Sequence, residues 1–180
     1  MIPIKKKQQN SSNDKRIPKK SSPFLSSIIL FFFSLFILTR TITPAVVSGN
    51  SMNGTLQDKD YILVNRCVKE YKRNDVVVIK KDSENYKIIK RIVGLPGETV
   101  QIKDGNLYIN GEICEDNTYE KMNFSGIAAN EIQLDEGEYF VLGDNRNNSE
   151  DSRYDKVGIV TDKELLGKAF LRLFPDIKRI

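Results

Sequence analysis

Residues 86–113 read YKIIKRIVGLPGETVQIKDGNLYINGEI, and this stretch decides the fold class. Apolar residues recur in three short runs, at 86–93, 98–102 and 106–109, with the alternation that is typical of strands half buried in a sheet. The turn signals Leu-Pro-Gly-Glu, Asp-Gly-Asn and Asn-Gly-Glu separate or end these runs. Because the last two are short-loop signatures, residues 98–113 are predicted to form a small antiparallel meander.

Strand-like runs continue on both sides of this stretch, at 61–65, 75–79, 138–142 and 169–174. One short helix is predicted at 161–166, because Thr161 and Glu164 fit a capping box and Gly167 a helix stop. The sequence therefore predicts a mainly β domain, antiparallel and β-rich, over residues 40–180.

The N-terminal segment differs from this domain in charge and hydropathy. The chain carries 28 basic and 24 acidic residues, a net charge of +4, but residues 1–22 hold seven of the bases and one acid. Residues 21–39 carry no charge, and as a helix they would be about 28 Å long, close to the hydrocarbon core of a bilayer. A removed signal peptide is the alternative, and its apolar region is usually shorter.

The charge bias sets the expected topology. Basic residues concentrate before the apolar segment, so the positive-inside rule predicts a cytoplasmic N-terminus. We expect a basic cytoplasmic tail (1–20), a single transmembrane helix (21–39) and an extracytoplasmic domain (40–180). Membrane lipid is then the partner of the N-terminal segment, and no nucleic-acid partner is expected.

The chain contains no histidine. This excludes the Ser-His-Asp triad, the Cys-His dyad and histidine metal sites. The two cysteines, Cys67 and Cys114, lack metal-site spacing, and whether they pair is left open. A hydrolase built from this chain must move its proton with a carboxylate, a lysine or a metal-bound water.

Lys90 is the first candidate for such chemistry. Strand alternation puts it on one face with Tyr86, Ile88 and Ile92. A lysine held there is desolvated, which lowers its pKa, and a neutral amine can act as a general base. The alternative is a lysine that extends to solvent at the edge of a half-buried sheet.

Two polar stretches supply further candidates. Ser51 lies among small residues in 47–56, where glycines allow a tight turn that could aim its N–H at a substrate carbonyl, although a plain loop serine is the commoner case. Residues 143–153 contain no apolar side chain. They form either a surface loop or a support for a charged site, with Asp151 and Arg153 paired and the hydroxyls of Ser149 and Ser152 directed inward.

Taken together, residues 51–56 (SMNGTL), 90–97 (KRIVGLPG) and 143–153 (GDNRNNSEDSR) resemble the serine, lysine and C-terminal boxes of the type I signal peptidase (leader peptidase) family. Residues 75–78 resemble the strand box between the first two. The order of the boxes and the preceding apolar segment agree with that family over roughly residues 24–180, and the ordered set is far more specific than any one motif.

The resemblance implies a serine endopeptidase that removes signal peptides from exported preproteins with a Ser/Lys dyad, at a bacterial cell membrane and without cofactor or metal. It implies Ser51 as nucleophile, Lys90 as general base, Ser149 as the residue that orients the lysine, and Asp151 and Arg153 as site support. Substrates would carry a small-x-small motif before the cleaved bond. The implied substrate-binding residues are Val47, Gly49, Met52, Leu56, Ile88 and Ile89.

The chain departs from the family pattern at two positions. Gly54 replaces the usual proline of the serine box, and Gly49 stands where some members carry a second oxyanion donor. That donor is then Ser48, a backbone group or water. Two rivals remain: a self-cleaving repressor-type Ser/Lys peptidase, whose DNA-binding domain is not matched here, and a non-catalytic anchored protein, for which Ser51 and Lys90 would be dispensable.

Overall fold

The computed structural model describes residues 23–81, 86–114 and 118–180. Helix α1 spans Pro23–Thr41. The chain divides into two compact units, residues 1–36 and 37–180. Within the described residues, no helix combines the length and apolarity that a membrane crossing requires. The predicted basic tail, residues 1–20, lies outside the described residues.

The second unit is built from short strands. The part of the chain that the structure describes contains twelve: β1 (Ile42–Val46), β2 (Tyr61–Asn65), β3 (Val76–Lys80), β4 (Lys87–Gly94), β5 (Thr99–Lys103), β6 (Asn106–Ile109), β7 (Glu112–Ile113), β8 (Ile132–Gln133), β9 (Glu138–Leu142), β10 (Val160–Thr161), β11 (Leu165–Phe174) and β12 (Lys178–Arg179).

The strands form two sheets, and the pairs between described strands are antiparallel, which confirms the predicted fold class. The larger sheet has the order β1-β2-β11-β3-β4-β9-β10, with β12 beside β11, and the smaller has the order β7-β6-β5-β8. The smaller sheet contains the predicted meander. Its two turns place Asp104-Gly105 and Asn110-Gly111 at positive φ, as two-residue hairpin loops require.

Strand β3 lies at the centre of the larger sheet and is apolar on both faces. Val76 and Val78 pack in a core with Met52 and Leu56, whereas Val77 and Ile79 pack in a second core on the opposite face. A strand covered on both sides needs a continuous apolar run, and Val-Val-Val-Ile provides it. A third core lies around β5 and β6 of the smaller sheet.

The helix predicted at 161–166 is wrong beyond its first turn. The Thr161 N–H donates to the Glu164 carboxylate at 2.8 Å, as in a capping box, but only the 3₁₀ turn Asp162–Glu164 forms. Leu165 then begins β11 and pairs with Ile79. Gly167 is no helix stop: it lies within β11, where a Cβ would come 2.3 Å from the carbonyl oxygen of Asn65.

Two strand edges of the larger sheet remain open within the described residues. β1 pairs only with β2, so its outer edge has no partner. β4 pairs with β3 from Lys87 to Arg91, whereas β9 pairs only with its second half, from Arg91 to Gly94. The first half of β4, residues 87–90, therefore presents unpaired main-chain groups.

Candidate active site

A tight turn after β1 carries Ser51. The carbonyl oxygen of Met52 accepts bonds from the N–H groups of Thr55 (3.1 Å) and Leu56 (2.8 Å), and this closes the turn. The side chain of Met52 is buried in the core beneath it. Because the residue after Ser51 is anchored in the core, Ser51 is held at the surface of the sheet, where it is partly exposed.

Lys90 approaches Ser51 from β4, which is not a sheet neighbour of β1. It lies in β4 opposite Val77, and its Nζ donates a hydrogen bond to Ser51 Oγ at 2.8 Å. Lys90 is only 3% exposed. Burial lowers the pKa of its amine, while the nearby carboxylates Asp151, Glu150 and Asp144 act in the opposite direction.

This contact can work in either protonation state. A charged Lys90 donates to the hydroxyl, whereas a neutral amine accepts the proton of Ser51 through the same 2.8 Å contact. No acceptor in the described residues is bonded to the Ser51 N–H. A hydroxyl, a buried amine and an N–H donor without a described acceptor therefore meet at one point, and acyl transfer uses groups of these three kinds.

The segment after β9 holds the turn that carries Ser51 through two hydrogen bonds. The N–H of Asn145 donates to the carbonyl oxygen of Ser51 at 3.0 Å, and its Nδ2 donates to that of Asn50 at 3.2 Å. The sequence analysis did not single out Asn145. It lies in the polar stretch 143–153, but nothing local indicates that its partner is 94 residues earlier.

An ion pair missed by the sequence analysis joins three segments of the site. Arg91 donates to both carboxylate oxygens of Asp144, at 2.8 and 2.7 Å. It also donates to the Thr55 hydroxyl at 2.9 Å and to the Asn74 carbonyl at 2.7 Å. Arg91 therefore ties the serine turn and the segment after β9 to the strand that carries Lys90.

Asp151 and Arg153 are paired, as the sequence suggested, and both are buried. Arg153 Nε donates to Asp151 at 2.8 Å, and the second oxygen of Asp151 accepts the Gly143 N–H at 3.0 Å. The Ser152 hydroxyl accepts the Val141 N–H at 3.0 Å. These bonds fold the polar stretch back on β9, so its lack of apolar residues reflects a buried hydrogen-bonded loop.

Ser149 differs from its expected role in this structure. Its Oγ is buried and makes no hydrogen bond within the described residues, and so none to Lys90. It lies against Gly143, where a Cβ would come 2.1 Å from Ser149 Oγ and 2.6 Å from the Ser51 carbonyl oxygen. The main chain of Gly143 therefore lies between the Ser149 hydroxyl and the turn that carries Ser51.

A groove of about 160 Å³ contains Ser51 and Lys90. Four of the six predicted substrate-binding residues line it: Val47, Met52, Ile88 and Ile89. Leu56 does not, because it is fully buried in the core below. Gly49 does not either: it takes φ +89° in the turn, and its N–H donates to the Asp58 carboxylate. Ser48 does line the groove.

The described residues contain no cluster of three or more His, Cys, Asp or Glu side chains able to hold a metal ion. Cys67 and Cys114 are free thiols in the structure.

A mainly β domain with a serine hydroxyl bonded to a buried amine, in a chain without histidine, defines the class: a serine peptidase, and so a hydrolase. The family model for signal peptidase, peptidase S26, matches residues 21–174. Signal peptidase I of Bacillus licheniformis is 36% identical over 153 residues, 79% of this chain and 82% of that protein. Signal peptidase I of Bacillus amyloliquefaciens is 39% identical over 143 residues, 73% and 76% of the two chains.

The crystal structure of a signal peptidase I from Enterococcus faecalis is 31% identical, with a TM-score of 0.43, and the match covers 56% of this chain and 97% of that one. By the family model and the sequence relatives, the chain belongs to the type I signal peptidase family.

Proposed function

We propose that the protein is an endopeptidase that removes N-terminal signal peptides from exported preproteins, with Ser51 as nucleophile and Lys90 as general base. The observation that carries the proposal is the 2.8 Å contact between Lys90 Nζ and Ser51 Oγ, made by a lysine that is 3% exposed. The relatives named signal peptidase I support the substrate class.

The reaction proceeds in two steps. Neutral Lys90 takes the Ser51 proton as Oγ attacks the carbonyl carbon of the last signal-peptide residue, and the Ser51 N–H stabilises the oxyanion. The ammonium of Lys90 then protonates the leaving amine, and an acyl-enzyme remains. In the second step neutral Lys90 removes a proton from water, whose attack releases the signal peptide and restores the hydroxyl.

The signal peptide would add as a strand between β1 and the first half of β4. In β1 the main-chain N–H and C=O groups of the odd-numbered residues face β2. This follows from the bonds from Val47 N to Asp60 O and from Arg66 N to Thr41 O. Because hydrogen-bonded and non-hydrogen-bonded pairs alternate, the main-chain groups of Val46 point away from β2 and have no strand partner. On β4 the bond from Ile92 N to Asp75 O fixes the same alternation, and the main-chain groups of Ile89 point away from β3. Both strands thus offer main-chain groups to one peptide.

The pocket near Ser51 supports a preference for small side chains. The groove holds about 160 Å³ and has Met52, Ile88 and Ile89 in its lining. A groove of this size, lined by large apolar side chains, fits a small side chain such as alanine best. We therefore extend the proposal to substrates with a small-x-small motif before the cleaved bond.

The membrane location is part of the proposal, and its support is the sequence and not the described helix. Residues 21–39 are uncharged and follow a basic segment. If they anchor the chain, residues 40–180 work outside the cytoplasm, where signal peptides emerge, and the buried pair of Asp151 and Arg153 supports the site there. Alkaline carbonate extraction of cell membranes tests this: the full chain should stay in the pellet, and residues 40–180 alone should be released.

The cleavage test uses the full chain, solubilised in detergent, and a preprotein with an Ala-x-Ala site. The parent should cut after the second alanine. Ser51→Ala and Lys90→Ala should lose at least about 10³-fold in rate, because each removes a group that takes part in bond making. Lys103→Ala, at an exposed position of the smaller sheet, is the matched control and should cut like the parent.

Two outcomes would contradict the proposal. A parent that is folded but leaves the preprotein intact would contradict the substrate class. Folded Ser51→Ala or Lys90→Ala variants that cut at the parental rate would contradict the dyad, even if the substrate class holds.

A further inference from the structure

A second groove continues from the groove that contains Ser51. It has a volume of about 330 Å³ and shares Ala45, Val78 and Lys87 with the first. Its floor is apolar, with Val64 and Leu166 beside the shared residues. The two grooves therefore form one channel that follows β1 and the first half of β4 away from the catalytic serine.

Three cations surround this second groove: Arg66, Lys80 and Lys87. Lys80 and Lys87 are direct partners across β3 and β4, so their like charges share one face of the hairpin. Like charges directly opposite each other destabilise a strand pair. None of the three forms an ion pair with a carboxylate in the described residues. Positive charge is therefore concentrated at a place where it does not stabilise the fold.

The position of the cations relative to Ser51 follows from strand geometry. Lys87 precedes Lys90 by three residues in β4. At about 3.3 Å per residue this is roughly 10 Å, and an extended peptide advances by the same step. Substrate positions are counted back from the cleaved bond, so that the residue supplying the scissile carbonyl is −1 and lies beside Lys90. The residue beside Lys87 is then near −4, and the groove continues to about −6.

We propose that the cationic groove is a specificity site that selects an acidic side chain at positions −4 to −6 of the substrate and rejects a basic one there. The inference rests on the proposed function, since it assumes that the peptide before the cleaved bond lies along β1 and β4. A carboxylate in the groove would relieve the repulsion between Lys80 and Lys87, and a lysine or arginine would add to it.

The test measures kcat/KM for three preproteins that differ only at position −5, which is Asp, Asn or Lys, with Ala at −3 and −1. The enzyme is the full chain in detergent at low salt. We expect Asp to be cut about two to five times faster than Asn, and Asn about two to five times faster than Lys, the range typical of partly exposed charge pairs. The differences should shrink as salt screens the groove.

Enzyme variants identify the groove as the source of the preference. In the double variant Lys80→Gln and Lys87→Gln the ratio of the rates for the Asp and Lys substrates should fall towards one, and it should fall likewise in Lys87→Glu, which leaves Arg66 and Lys80 opposed by one carboxylate. Lys103→Gln is the matched control, because it removes an exposed charge from the smaller sheet. It should keep the parental ratio.

Several results would overturn the inference. Equal rates of the parent on all three substrates would do so, and so would a preference that persists when Arg66, Lys80 and Lys87 are all glutamine. If the triple variant instead loses binding to vesicles of anionic lipid while the substrate ratio is unchanged, the cations serve a membrane surface and the inference is wrong. Failure of the proposed function looks different, because the parent would then cut none of the three substrates.

Discussion

Removing the guanidinium of Arg91 should destabilise the domain more than the loss of most surface charges. Arg91→Ala breaks two short bonds to Asp144 and the bonds to the Thr55 hydroxyl and the Asn74 carbonyl. The Asp144 side chain is 1% exposed, so its carboxylate would be left buried without its cation. Leaving one member of a buried pair uncompensated costs about 3–5 kcal/mol, and we expect the free energy of unfolding to fall by that amount.

A double-mutant cycle separates the pair from its surroundings. Arg91→Met with Asp144→Leu removes both charges, and the double variant should be less destabilised than the sum of the two single variants by at least about 2 kcal/mol. Arg91→Lys keeps the charge but not the planar fork, so it should lie between the parent and Arg91→Ala. The chain has no tryptophan, so urea unfolding is followed by far-UV circular dichroism.

Catalysis gives an independent measure of the same contact. Arg91 bonds the serine turn through Thr55, and Asp144 precedes Asn145, which holds the Ser51 carbonyl. A displacement of about 1 Å at a reacting group can cost about 10²-fold in rate, so kcat should fall by about that factor in folded Arg91→Ala. Additive effects in the cycle, or a loss of stability below about 1 kcal/mol, would refute the reasoning.

Two further predictions concern the surroundings of Ser51 and Lys90. The pKa of Lys90 lies below its usual 10.5, and a neutral amine is needed, so kcat/KM should rise with pH along a limb that ends below 10.5. Between the folded pKa and 10.5 the unfolded chain binds more protons, so unfolding free energy should rise with pH there, and urea titrations of Lys90→Met should lack that rise. Gly143→Ala would bring a Cβ within 2.1 Å of Ser149 Oγ. We expect it to lose about 1–3 kcal/mol of stability by urea unfolding and most of its activity, and a fully active variant would contradict the packing described here.

Local sequence signals predicted the strands that are bounded by recognisable turn sequences. The turns at 104–105 and 110–111 need positive φ, and Asp-Gly and Asn-Gly supply it, so the meander could be predicted without its partners. The helix at 161–166 failed because its capping box is satisfied within one turn. From Leu165 onward, pairing with β3 and β2 outweighs helix propensity.

Sequence could predict a residue of the candidate site only where that residue stands out from its immediate neighbours. Lys90 stands out because a charged residue interrupts an apolar strand face, and Ser51 because small residues surround it. The bonds from Arg91 to Asp144 and from Asn145 to Ser51 join residues 53 and 94 positions apart. Polar side chains at such separations have no periodicity that would pair them. Leu56 was misplaced for a similar reason, because an apolar residue beside a groove and one beneath it look alike in sequence.

The open edge of β1 also bears on self-association. An unpaired strand edge is a template on which a second copy of the chain can extend the sheet. The alternation that turns Val46 outward also turns Pro44 outward, and proline has no N–H to offer. The row of donors along this edge is interrupted at its middle, which weakens any pairing of two copies along it. A peptide strand on this edge likewise finds no donor at Pro44, so only the residues on either side of the proline can donate to it.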